Sequence, residues 1–189
     1  MSATSLKDLV KEYQTLLQKK KLYEGKIDGN AGQLTAIAAM SYHCPNGVYY
    51  PKWMRYAIAE MGVSEVYGGK RHNPRIVHYH SFTGLAAKED EVAWCASFVN
   101  CCLIEGADIA GSRSASAKEF ELWGKDCPLN TYGAVMTTRT ETGSRRHVFF
   151  NAGYFKDMIL GLGGNQTNKV NIMIRHRDEI VKSRFPANI

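Results

Sequence analysis

No run of about 18 apolar residues occurs in the chain, so no segment is long enough to cross a bilayer as a helix. The opening, MSATSLKDLVKEY, lacks the apolar stretch of a secretory signal. The product is therefore expected to stay in the cytoplasm of the cell that makes it, unless other machinery exports it. No CxxC pair is present. The cysteines (Cys44, Cys95, Cys101, Cys102 and Cys127) are odd in number, which argues against a disulfide framework and against zinc held by cysteine pairs. The absence of GxGxxG and P-loop sequences removes the familiar nucleotide-binding turns. No paired-carboxylate pattern stands out, which disfavours a lysozyme-like glycosidase. Internal repeats of roughly 20–50 residues and low-complexity tracts are also missing.

What is present is an ordinary globular composition: 189 residues, 44% hydrophobic and 22% charged. That suits one domain with a small addition, large enough for a core without covalent staples. Lys and Arg number 24 against 18 Asp and Glu, a formal charge of +6. The excess is uneven, because residues 139–184 hold nine basic against four acidic side chains, a net +5. A cationic surface favours polyanions such as nucleic acid, acidic lipid or an anionic cell envelope; solubility alone is the plain alternative. No nucleic-acid-binding motif accompanies the charge.

Leu6, Leu9, Val10, Tyr13, Leu16 and Leu17 fall at helical spacing over residues 6–18. A turn-rich segment, 23–32, separates this helix from an Ala-rich helical stretch at 33–40, and the pair reads as a small helical unit. In it Asp28-Gly29-Asn30 hints at a calcium loop but lacks the twelfth-position Glu, and so reads as a turn. Residues 44–52 look like a linker, 53–61 like a helix, and 76–82 like a weak strand. The clearest helix spans 91–105, with Asp90 as N-cap and Gly106 as stop. A further helix is expected over 112–123. Strands are expected over 133–139, 147–151, 154–161 and 169–175. Helices first and strands later, without βαβ alternation, predict an α+β chain with an antiparallel sheet. Trp53, Trp94 and Trp123 are expected in the core. His78 and His80 share a face only if their segment is a strand, and structural or surface roles are preferred for both.

Cys95 lies in the first turns of the expected nucleophile-bearing helix. A helix N-terminus offers unpaired N–H groups and partial positive charge, which favour a thiolate, lower its pKa and can hold an oxyanion. A nucleophilic cysteine also needs a histidine base, and His147 begins the alternating strand His147-Val148-Phe149-Phe150. A third polar group should fix the imidazole. Asn165 is the first choice and Gln166 the second, in Gly163-Gly164-Asn165-Gln166. The plain alternative for Cys95 is a small core residue on an apolar helix face.

The run Asp90-Glu91-Val92-Ala93-Trp94-Cys95-Ala96-Ser97-Phe98-Val99-Asn100 resembles the nucleophile helix of NlpC-type and CHAP-type cell-wall amidohydrolases. It is most similar to a phage-associated subgroup with a Trp-Cys-Ala-x-Phe-Val-Asn signature. Pro51-Lys52-Trp53-Met54, His72-Asn73-Pro74-Arg75-Ile76, Ser114-Ala115-Ser116-Ala117, Trp123-Gly124, His147-Val148 and the segment from Gly163 to Asn171 fit in the same order. Two positions depart from the pattern: Arg146 stands where the family has Gly, and Ala134 where it has Asp. Residues 9–38, including Tyr23-Glu24-Gly25-Lys26-Ile27-Asp28-Gly29, resemble the first half of a peptidoglycan-binding helical domain.

The resemblance implies a papain-like α+β domain over 46–189, preceded by a wall-binding-like unit over 1–45. It implies a peptidoglycan hydrolase of the phage endolysin kind, with Cys95 as nucleophile, His147 as base and Asn165 or Gln166 as the orienting group. It implies no metal and no cofactor. The expected partner is bacterial peptidoglycan, engaged by a monomer that neither enters membranes nor binds nucleic acid. Such an enzyme would wait in the host cytoplasm until another protein opens the way to the wall. The alternatives are an injected antibacterial amidase effector and a non-catalytic wall-binding module.

Overall fold

Leu9, Val10, Tyr13 and Leu17 recur at three- and four-residue steps and are buried along one face of helix α1 (Leu6–Lys19). Ser5 caps it, its hydroxyl accepting the Asp8 N–H. The structure, a computed structural model, describes residues 5–45, 50–68, 71–139 and 146–189. Helix α2 (Gln33–His43) follows a turn organised by the buried Gln14. The Gln14 carbonyl accepts the Asp28 and Gly29 N–H groups at 3.1 and 3.0 Å, and its amide donates to the Asn30 carbonyl at 3.0 Å. Part of the expected 44–52 linker, residues 46–49, lies outside the described residues.

Helix α3 (Lys52–Ala59) buries Trp53, Met54, Ala57 and Ile58. The stretch expected as a strand at 76–82 is instead helix α4 (Pro74–His80). Its start signals outweigh the partial alternation: Asn73 caps the Arg75 N–H at 2.9 Å and Pro74 occupies the first turn. His78 and His80 therefore do not share a strand face.

Helix α5 (Cys95–Ala107) begins four residues later than expected. Asp90 does not cap it, because its buried carboxylate accepts the Val66 and Asn73 N–H groups, both at 2.8 Å, and meets His72 Nδ1 at 2.9 Å. Gly106 does not end it either; the chain leaves at Asp108, in the left-handed region. Gly106 serves close packing instead, since a Cβ there would stand 2.8 Å from Tyr56 Cβ. The helix expected over 112–123 reduces to one 3-10 turn, Ala117–Glu121.

Six strands follow: β1 (Lys125–Asp126), β2 (Val135–Arg139), β3 (Arg146–Phe155), β4 (Met158–Gly163), β5 (Asn171–His176) and β6 (Ile180–Phe185). They form one antiparallel sheet in the order β1-β6-β2-β3-β4-β5. The expected strand at 154–161 is divided, because β3 and β4 join through Lys156-Asp157 with Lys156 in the left-handed region. Strand alternation sends Val148, Phe150 and Ala152 into the helix-covered core. Phe149 faces the other way, in a smaller cluster with Ala134, Met136 and Ile159. With five helices and a six-stranded antiparallel sheet among the described residues, the architecture is α+β.

Residues 5–45 and the sheet share one apolar core, running from Leu9 and Tyr13 through Trp53 and Trp94 to Leu162 and Val170. The joint is an aromatic box around His43. Its ring stacks on Tyr154 at 4.2 Å and on Tyr132 at 5.8 Å, and meets Tyr42 edge-on at 5.0 Å. His43 Nε2 lies 2.8 Å from the Tyr13 hydroxyl and accepts the Tyr154 N–H at 3.4 Å, beside a register shift in the β3–β4 pairing. Burial lowers the His43 pKa from 6.5 to about 4.

The folded chain thus keeps His43 neutral between pH 6.5 and 4, while the unfolded chain takes up a proton there. The unfolded state binds more protons in this window, so stability falls as pH falls through it. For His43 the loss amounts to about 3 kcal/mol at most. Urea denaturation at pH 7 and pH 4 should show this loss in wild type and a smaller one in His43→Gln. Equal losses in the two proteins would refute the assignment.

Candidate active site

The N-terminus of α5 is set by contacts on three sides. Trp94, its N-cap residue, is fully buried and donates its indole N–H to Glu65 at 2.8 Å. The segment around Glu65 runs beside the loop after β4: Gly62 N–H donates to Val170 O, Val170 N–H to Val63 O and Glu65 N–H to Asn168 O, at 2.8–2.9 Å. The third side is Gly164. A Cβ there would stand 2.5 Å from Trp94 Cζ3 and 2.6 Å from Phe98 Cβ, so only glycine lets the sheet end approach the helix this closely. Gly164→Ala should therefore cost about 1–3 kcal/mol through overpacking. It should also shift the Cys95 turn and lower any activity that depends on it. The urea midpoint and turnover, measured side by side, check this; unchanged values would mean that the helix end yields freely.

Cys95 is the first residue of α5 and is partly accessible. The backbone N–H groups of Cys95 and Ala96, at the helix start, and of Val148, on β3, favour its thiolate form, though none hydrogen-bonds to the sulfur among the described residues. The strand geometry explains why Val148 is among them. Asn151 hydrogen-bonds towards β2 through both its N–H and its carbonyl. Alternation then aims the Val148 N–H at the opposite edge. The pairing with β4 begins only at Phe150, so that edge is open beside Val148. Burial pushes the Cys95 thiol up, and the three N–H groups oppose it without reversing it. The lowered thiol pKa expected from the helix start is therefore not found in the resting protein, because desolvation outweighs the helix terminus.

His147 precedes Val148, and its ring stacks on Phe149 at 5.9 Å. Its Nε2 lies 3.1 Å from Gln166 Oε1. The Gln166 amide orientation is fixed from the other end, because its Nε2 donates to Gly161 O at 3.0 Å and Asn171 O at 2.7 Å. Oε1 must then accept, His147 Nε2 carries the proton, and Nδ1 is the basic nitrogen. Burial lowers the His147 pKa to about 4, with Gln166 pulling it up and Arg175 pushing it down. Thiol and imidazole are thus both neutral at pH 7. No hydrogen bond joins them among the described residues.

Gln166, and not Asn165, is the residue on the imidazole. Asn165 adopts φ +55, as do Thr167 and Asn168 at +52 and +61, in a tight loop after β4. That reversal carries the buried Gln166 side chain back beneath the strand ends, while Asn165 turns to the cleft wall. The left-handed preference of Asn is the sequence signal for this geometry: it marks Asn165 as a turn former and leaves Gln166 as the side chain to point inward.

A cleft of 430 Å³ opens beside His147, lined also by Asn165, Gln166, Thr167, Met173, Arg139, Arg175 and Glu179. Arg175 lies 3.5 Å from Glu179, and its buried Nε has no hydrogen-bond partner among the described residues. Arg139 is exposed at the end of β2. The cleft thus presents two cations against one carboxylate. No protein-family model, curated protein or solved structure matches the chain. Chemically, the arrangement offers a thiol at a helix start. On the adjoining strand it places an imidazole of fixed tautomer, open to a basic cleft that Cys95 does not line.

Proposed function

We propose that this protein is a peptidoglycan hydrolase of the endolysin kind, with a papain-like fold, that cleaves an amide or peptide bond of the bacterial wall through Cys95. The observation that carries this reading is the packing of α5 on β3, with Phe98 6.3 Å from Phe150, which brings the strand of His147 against the helix that begins with Cys95. The resemblance around Trp94-Cys95-Ala96 supports it. So does the basic cleft, whose Arg139 and Arg175 suit the carboxylates of wall stem peptides.

In this reading the thiol sulfur attacks the carbonyl carbon as its proton passes to His147 Nδ1. The free N–H groups of the helix start stabilise the tetrahedral oxyanion. His147 then protonates the leaving amine, and water, deprotonated by the same nitrogen, releases the acyl group from Cys95. Because both partners start neutral, His147 acts as a true general base and not as half of a standing ion pair. Closure of the thiol–imidazole contact then belongs to the substrate-bound state. Gln166 holds the ring throughout.

The test is purified peptidoglycan treated with wild type and with Cys95→Ala, followed by turbidity and by mass spectrometry of released fragments. Clearing by wild type alone supports the proposal, and the fragment masses name the bond. Equal activity in both proteins removes Cys95 from the mechanism. Binding without release by either protein establishes the wall-binding module instead.

A further inference from the structure

Towards the far end of α5, about 9–15 Å along the axis from Cys95, two helices turn metal-ligating side chains towards one point. Cys101 and Glu105 are one turn apart on α5 and so share a face. His78 reaches them from α4, with Nε2 2.8 Å from Glu105 Oε1. The Cys101 thiol lies 3.6 Å from Glu105 Oε2. One nitrogen, one sulfur and one oxygen thus stand within 4.8 Å of one another. We propose that His78, Cys101 and Glu105 form a Zn²⁺ site, separate from Cys95 and His147 and independent of the proposed hydrolysis.

The donor set selects the metal. Mixed S, N and O donors suit Zn²⁺ and its substitute Co²⁺, whereas Mg²⁺ and Ca²⁺ require oxygen. Bonds of about 2.0–2.3 Å place tetrahedral ligands roughly 3.3–3.8 Å apart, so small side-chain adjustments suffice. Three protein ligands leave a fourth position for water. The site is reachable, because His78 and Glu105 are 39% and 32% exposed, while the buried thiol forms its floor.

The neighbours form an outer shell. The Tyr56 hydroxyl donates to Glu105 Oε2 and lies 3.7 Å from Cys101 Sγ. Arg75, 3.8 Å from Glu105, is neutralised by Glu60, which it holds through Nε and Nη2 at 2.8 and 2.9 Å. The charges balance: a dication, one thiolate and one carboxylate sum to zero beside a neutral imidazole. Binding forms the S–Zn bond and breaks the S–H bond. The proton leaves to solvent.

The test uses the full chain, stripped with a chelator and titrated with Zn²⁺ by calorimetry and with Co²⁺ by absorption. Wild type should take one ion per chain, release a proton on binding, and show the near-ultraviolet thiolate-to-cobalt band. Cys101→Ser should lose the band and bind Zn²⁺ at least about 100-fold more weakly. His78→Asn, on the exposed rim where folding is not at risk, should weaken binding similarly. Tyr56→Phe should cost about 10–100-fold, as the loss of an outer-shell partner does. Cys95→Ala should bind as wild type does. A wild type that binds without the cobalt band, or a Cys101→Ser or His78→Asn variant with wild-type affinity, overturns the site.

Discussion

Replacing Cys95 with alanine is expected to lower turnover on peptidoglycan roughly a million-fold, as the loss of a nucleophile does elsewhere. Folding should be nearly untouched, because the side chain is small and partly accessible. The size of the effect follows from position. Cys95 begins the helix and is partly accessible, whereas Cys101 and Cys102 lie further along the same helix and are buried. Neither can take over the attack. The urea midpoint and wall binding of the variant, measured beside turnover, separate chemistry from folding. A fall in midpoint that matched the fall in activity would count against a catalytic thiol.

The second large effect is expected at Gln166. Gln166→Leu removes the acceptor that fixes the His147 tautomer, and turnover should fall by about 10²–10⁴. It also orphans the Gly161 and Asn171 carbonyls, which adds about 1–3 kcal/mol of destabilisation. A pH profile separates the two effects. The acid limb of kcat/KM in wild type should lie near pH 4, where His147 takes up its proton and ceases to be a base. Gln166→Glu sets a carboxylate on the ring, so His147 should hold its proton to higher pH and the acid limb should move up. A merely structural Gln166 would lower stability and leave the limb in place. If Asn165→Ala is the damaging change and Gln166→Leu is tolerated, the orienting role passes to Asn165.

Helices α1, α2 and α5, the antiparallel sheet and the thiol at a helix start were legible because each rests on a local pattern. Apolar spacing marks α1 and α5, an Ala-rich run marks α2, and β-branched and aromatic residues between glycines mark β2, β3 and β5. The errors arose where tertiary demands override such patterns. Asp90 has the composition of a helix cap, yet its carboxylate is taken by a loop far from it in sequence. Gly106 has the composition of a stop, yet it lies where α3 presses against α5. The strand expected at 76–82 lost to a cap and a proline two positions upstream. β1 and β6 carry too little alternation to be found. The choice between Asn165 and Gln166 turned on one left-handed residue, and the direction of the Cys95 pKa turned on burial, which a sequence does not display.

The shared core bears on how such a chain can diversify. Chains of this size are often thought of as two units that recombine freely. Here α1 and α2 close the apolar face of the sheet through Tyr13, Ala36 and Ala39, and the His43 box ties them to β3. Exchange of residues 5–45 for another segment would strip a wall from the interior. The chain is therefore expected to change as a single piece: the outer faces of these helices can vary while the interior stays whole, whereas exchange of the segment opens it.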